Sequence, residues 1–181
     1  TDQVNKLTKD KNNAVIAETS IVAKTKGKAK QASTFIGLDN SQFISKDLKL
    51  TSGHKPENDR QVVVDDSFKQ YGYKLNDKLT INSDSTAYTI VGFTHNAKLN
   101  ISPIVYGTIP TWQKLRGMGN AFGGSAVVSK QANIDNSDKN LKVYTVTQVI
   151  NKLPGYTAQN STFIFMIGFL MIISLIIIAV F

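Results

Sequence analysis

Cysteine is absent from this chain, which removes disulfide staples, thiolate zinc sites and thiol nucleophiles together. A sortase-like transpeptidase is excluded on that ground, whereas the redox compartment stays open, because a chain without Cys suits either side of a membrane. Arginine is nearly absent too, at Arg60 and Arg116 only. Nucleic-acid recognition relies on its planar fork set among aromatics, so no nucleic-acid partner is expected in spite of a net charge of +8. Histidine occurs twice, at His54 and His95. Neither has a second His or a Glu at helical ligand spacing, so no metal site is expected. Acidic residues number 13, too few and too scattered for a calcium cage or a hydrolytic carboxylate pair.

What the chain does have is one long apolar run. Thr162 to Phe181 reads TFIFMIGFLMIISLIIIAVF, with no charge and with Thr162 and Ser174 as its polar side chains. About 20 residues at 1.5 Å each reach roughly 30 Å, the thickness of a bilayer's hydrocarbon core, so the run predicts a transmembrane helix. It follows a polar region and lacks an upstream basic stretch, which separates it from a cleavable signal peptide. The flank that usually closes a span is missing and the chain opens without Met, so the sequence is expected to be part of a longer protein. Gly168, Ser174 and Ala179 are small residues that leave room for a neighbouring helix.

About 160 residues remain for soluble structure, enough for one domain or two small lobes. Lysine supplies nearly all their positive charge, which suits a solvated surface facing anionic lipid or an anionic polymer. AVIAETSIVA at 14–23 and a run closing at Phe35-Ile36 predict a β-hairpin. Between them Lys24, Lys26, Lys28 and Lys30 fall at every second residue, the pattern of four ammonium groups on one face of an extended ribbon. Residues 40–50 have a short helical spacing with Asp39 or Asn40 to cap it. Gln61–Asp65 predicts a strand, Asp66–Tyr71 a helical turn ended by Gly72, and Lys78–Asn82 a strand whose partner is Ala87–Thr94 across a turn at 82–86. Ile104–Ile109 adds a strand, and Pro110 opens a helix through Trp112 and Leu115. GMGNAFGG at 117–124 lacks the Lys-Ser or Lys-Thr of a phosphate loop and reads as a hinge. Strands are then expected at 125–129 and 141–146, separated by a polar loop at 134–140. Thr147 caps a further helix ended by Pro154-Gly155, and Tyr156 suits the headgroup level.

No catalytic residue is nominated. Ser52-Gly53-His54-Lys55 matches the S-x-x-K pattern of penicillin-binding proteins in letters only; that chemistry needs Ser at the head of a buried helix and S-D-N and K-T-G elements downstream. Asp65 or Asp66 reads as a helix cap. Tyr88, Phe93, Tyr106 and Trp112 fall on apolar faces, so core is their expected place.

The run G-Y-K-L-N-D-K-L-T-I followed by Y-T-I-V-G-F resembles the extracytoplasmic domain of the FtsX/MacB-like permeases of ABC transporters, where a G-x-x-x-G-D turn precedes an apolar-V-G-apolar strand. Asn76 stands in place of the second Gly of that turn. Within the superfamily the chain resembles the haem-efflux permeases of Gram-positive bacteria, the HrtB type, through Tyr88–Thr94, Ser102–Val105, Thr111-Trp112 and LPGYTAQ at 153–159 leading into Phe165–Phe169. The likeness runs from about Val62 onward.

The resemblance implies an α+β, two-lobed MacB-like domain followed by a transmembrane helix. Residues 1–38 and 121–160 would form a membrane-proximal α/β lobe, 39–120 an inserted β-rich lobe, and 161–181 the second span of a multi-pass protein. It implies a non-catalytic permease that works as a homodimer with a separate ABC ATPase in the cell membrane of a Gram-positive bacterium. Residues 1–160 would lie outside, in contact with membrane lipid, and the cargo would be haem or another amphiphile. His54, His95, Tyr106 and Met118 are of the types that ligate haem iron, but none is nominated and no cofactor is expected. The alternative is a singly anchored extracellular binding or adhesion module, motivated by the basic and catalytically empty surface.

Overall fold

Six strands close on themselves around an apolar interior. The computed structural model describes residues 2–99, 101–119, 123–131, 142–152 and 156–180. They fall into two units, residues 1–133 and 134–181.

In the first unit a short helix, α1 (Asp2–Leu7), precedes the long strand β1 (Asn13–Lys24) and its hairpin partner β2 (Gln31–Leu38). A single turn of helix, α2 (Phe43–Lys46), is followed by β3 (Ser52–Gly53) and β4 (Gln61–Asp65). A 3-10 helix at Asp66–Tyr71 leads to β5 (Lys78–Ile81), β6 (Tyr88–Thr94), β7 (Lys98–Leu99) and β8 (Ser102–Thr108). Helix α3 (Ile109–Leu115) and strand β9 (Ala126–Ser129) complete it.

The ring runs β1-β2-β8-β4-β6-β5 and returns to β1. Two of its contacts are parallel, β2 with β8 and β4 with β6, and the rest are antiparallel. Closure leaves these strands no free edge. Phe35, Val62, Val64, Leu79, Ile81, Tyr88, Ile90 and Val105 are fully buried in the core. Val63, at the bulge between Val62 and Val63 where β4 slips register against β6, is buried too.

β1 is long enough to belong to two ladders. Its C-terminal part pairs with β2 and β5, while Asn13–Ile16 pair with β9. Helix α3 lies against β2. The Trp112 indole N–H donates to the Glu18 carbonyl at 2.9 Å, and Gly37 permits the approach, since a methyl there would meet Trp112 Cβ at 3.0 Å. Thr108 caps α3 through Thr111 N–H, and Pro110 sits in its first turn, as expected from the sequence.

Several expectations need correction. The Lys24–Lys30 segment is not an extended ribbon: β1 ends at Lys24, residues 25–30 form a turn with Gly27 at φ +77°, and Lys28 folds back onto Asp77. Residues 2–7, for which no element was expected, form α1, and Val4 packs against the core. Asp39 and Asn40 do not cap α2; its N-cap Gln42 makes no capping bond and accepts the Val15 N–H instead. The boundary at 38/39 does not separate two bodies, because β1 and β2 pair with β5 and β8 and share their core. β9 pairs with the N-terminal part of β1, off the ring, while Val15 and Val127 of that ladder pack on the shared core.

In the second unit the strand expected at 141–146 is not formed. Residues 142–145 are irregular and helix α4 (Val146–Lys152) begins where the strand should end. Its cap is Thr145 rather than Thr147: Thr145 Oγ1 accepts the Gln148 N–H at 3.3 Å while Gln148 Oε1 accepts the Thr145 N–H at 2.9 Å, a reciprocal capping box. Helix α5 (Tyr156–Val180) holds 25 residues, about 37 Å at 1.5 Å per residue. Within it Ser161–Ile178 is apolar enough to cross a membrane. The polar loop expected at 134–140 lies outside the described residues.

Candidate functional site

Most groups that could carry chemistry have a structural task. Asp65 is buried at the end of β4 and accepts hydrogen bonds from Ser67 N–H (3.0 Å) and Ala97 N–H (2.7 Å) as well as from the Ser67 hydroxyl. It is the N-cap of the 3-10 helix, whose end is set by Gly72 at φ +79°. Asp66 is half-buried beside it and takes Lys69 at 2.6 Å and the Thr51 hydroxyl at 3.0 Å. Partial burial works against its ionisation, but the bonds from Lys69 and Thr51 and the charges of Lys69 and His95 outweigh it, holding the carboxyl below its usual range.

His54 is half exposed, with Nδ1 2.8 Å from the Lys55 carbonyl. His95 Nδ1 lies 3.6 Å from Asp66. Ser52 and Gly53 form strand β3 against β6, and Lys55 Nζ donates to the Ser45 carbonyl at 2.6 Å; the S-x-x-K letters sit on a strand and an irregular turn, not at a helix head. Tyr88, Phe93 and Trp112 are core residues as expected, whereas Tyr106 is only half-buried. Met118 is exposed. Among the described residues no cluster of three or more His, Cys, Asp or Glu forms that could hold a metal ion.

Two surface features remain. The first is an open depression of about 460 Å³ lined by buried Tyr73 and Phe93 and by Leu75, with Ser52, Lys69 and Lys74 also in its wall. Lys69 Nζ lies 4.6 Å from the centre of the Phe93 ring. Sequence reading missed this groove because its residues come from β3, β6, the 3-10 helix and the turn at 72–75. The second is the lysine-rich turn after β1, which abuts the turn before β5. The Tyr73 hydroxyl donates to the Ala29 carbonyl (2.8 Å), the Thr25 hydroxyl donates to the Lys78 carbonyl (2.9 Å), and Lys28 pairs with Asp77.

This closed β-ring, flanked by α3 and extended by the β1–β9 ladder, resembles MacB-like extracytoplasmic domains in fold. The extracellular domain of the noncanonic ABC-type transporter YknZ from Gram-positive bacteria superposes with a TM-score of 0.54, covering 72% of this chain and 71% of that one at 14% identity. The periplasmic region of MacB from Actinobacillus actinomycetemcomitans superposes with a TM-score of 0.53, covering 75% and 66% at 17% identity. By sequence, the chain resembles HrtB: the hemin transport system permease proteins HrtB of two Staphylococcus epidermidis strains are 25% identical to it over 132 residues. The aligned part is 73% of this chain and 38% of each relative, so the chain spans about two fifths of their length. No family model matches it. In sequence and fold together, the chain is similar to permeases of the FtsX/MacB type from ABC transporters.

Proposed function

We propose that residues 1–160 are the extracytoplasmic domain, and α5 the second transmembrane helix, of a multi-pass permease subunit. In this reading the subunit pairs with a second copy of itself and with a cytoplasmic ABC ATPase that hydrolyses ATP on its behalf. Closure of the ATPase moves the spans, and α5 carries that motion to the outside domain. The β1–β9 ladder belongs to the membrane-proximal part of the domain. The cargo is haem or another amphiphile, expelled from the cell membrane of a Gram-positive bacterium.

The observation that carries the proposal is the joining of a MacB-like ring to an apolar helix long enough to span a bilayer, α5, in the order the HrtB-like motifs imply. The full-length protein co-expressed with its neighbouring ATPase tests it. A complex of two permease and two ATPase subunits is expected, and deletion of the gene should lower tolerance to haem. A permease that purifies alone and a mapped topology with a single span would instead support the anchored binding module. Unchanged haem tolerance with an intact complex would move the cargo to another amphiphile.

A further inference from the structure

The end of the barrel opposite β9 concentrates positive charge. The turn at 24–31 and the segment 72–80 contain Lys24, Lys26, Lys28, Lys30, Lys74 and Lys78 against the single carboxylate of Asp77, six minus one, or +5 of the chain's net +8. The two segments are tied together by register as well as by side chains: Lys24 stands opposite Thr80 in the β1–β5 ladder. The Tyr73–Ala29, Thr25–Lys78 and Lys28–Asp77 contacts lock one turn against the other. Lys78 also donates to the Thr89 hydroxyl at 2.8 Å. Among the described residues Lys24, Lys26, Lys30 and Lys74 form no ion pair, and all four are exposed.

We infer that this face binds a linear polyanion, a polymer of phosphodiesters without bases. Lysine is a compact point charge that attracts phosphate without demanding a fixed orientation, and several such charges on two locked turns match a chain of repeated phosphates better than a single ion. A lone phosphate would need convergent, desolvated donors, and these ammonium groups spread over solvent instead. A nucleic acid would want stacking faces and arginine. The aromatic ring beneath the patch, Tyr73, is buried and has Lys28 5.4 Å from its centre, so it offers no platform. A bilayer of anionic lipid presents the same phosphates, and the vesicle measurement below separates it from the polymer. The inference does not rest on transport and holds for an anchored module equally.

The test uses the full chain in a nonionic detergent and a fluorescent synthetic glycerol-phosphate oligomer as probe, with binding read by anisotropy across a salt series. Replacing three lysines, K24Q/K26Q/K30Q, should weaken binding about 100-fold at roughly five-fold per charge and flatten the log–log salt slope by about 2. The control K9Q/K11Q/K49Q removes the same charge from exposed positions elsewhere and should stay within about three-fold of the parent, because charges are screened within about 8 Å at physiological salt. Equal losses in both variants would mean that total charge, not this face, is responsible, and would overturn the inference. So would the absence of oligomer binding, tighter binding of single-stranded RNA, or lysine-dependent binding to phosphatidylglycerol vesicles that the oligomer fails to compete.

Discussion

Gly107 of β8 rests against the ring of Phe35 of β2: a methyl group on its Cα would lie 2.5 Å from Phe35 Cζ and 2.9 Å from Cε2. The contact sits on the parallel β2–β8 ladder that closes the ring, where Gly37 faces Gly107 in register. Phe35 is fully buried and has nowhere to retreat. Gly107→Ala should therefore destabilise the fold by about 1–3 kcal/mol through overpacking. Thermal unfolding of the full chain in detergent checks it, and adding Phe35→Leu should recover part of the loss. Equal stability of Gly107→Ala and parent would contradict the closure described above.

Asn76 and Asn82 both hold left-handed backbone, at φ 68° and 54°, yet they should respond differently to glycine. Asn76 occupies the place where the family turn carries Gly, and its backbone N–H already donates to the Ile90 carbonyl at 2.8 Å. Asn76→Gly should be neutral or stabilising, while Asn76→Ala should cost about 1 kcal/mol for the strained dihedral. At Asn82 the side-chain oxygen accepts the Val22 N–H at 2.8 Å, so Asn82→Gly should lose about 1 kcal/mol of hydrogen bonding. Chemical denaturation of the three variants ranks them.

The loop between β5 and β6 predicts an acid transition. Partial burial of Asp84 works against its charge, but hydrogen bonds from the Thr86 N–H and hydroxyl, the Tyr88 hydroxyl and Lys114 prevail and bring its pKa down to about 2. Tyr88 itself, buried and bonded to Asp84 at 2.8 Å, is pushed upward. A carboxyl with a folded pKa below its unfolded value stabilises the fold above about pH 4 and loses that contribution as pH falls toward 2. The amount is about 1 kcal/mol once solvent screening is allowed for. Tyr88→Phe removes one of the bonds that favour the carboxylate and should raise the Asp84 midpoint, read by NMR titration of the carboxyl carbon. An unmoved midpoint would show that Tyr88 does not hold Asp84 charged.

Charge placed in α5 should be costly. The side chains of Phe169, Leu170 and Ile172 are largely exposed within their unit, as lipid-facing residues are, and Ser174 satisfies its hydroxyl on the Leu170 carbonyl at 2.9 Å. Ile172→Arg, near the middle of the span, should disfavour insertion by about 3 kcal/mol. Carbonate extraction of membranes measures it, with Ser174→Ala expected to remain in the pellet.

Local patterns carried the parts of this fold that local patterns encode. The β1–β2 and β5–β6 hairpins, the Asp65 cap with Gly72 at the helix end, Pro110 in α3 and the apolar helix α5 all depend on residues close in sequence. The ring closure does not. β2 meets β8 some 70 residues later, and nothing in either strand names its partner. The alternating lysines misled for a related reason: period two implies an extended chain, but Gly27 at φ +77° turns it, and Asp77, 49 residues away, draws Lys28 inward. α1, with Val4 and Leu7 as its apolar residues, is too short to show a period, and before α4 the Thr145–Gln148 capping box outweighs the apolar alternation of 141–146. The groove beside Phe93 and the lysine face are assembled across the ring, so neither is written in one stretch.

In the proposed topology this domain sits outside the cell on a permease. The chain's lack of cysteine makes that directly measurable, with a single reporter at Ile101→Cys, on the exposed tip between β7 and β8. In the full-length protein, freed of other thiols, a membrane-impermeant maleimide should label this residue in intact cells as fully as after lysis. Labelling that appears only after lysis would put the domain in the cytoplasm and contradict this topology.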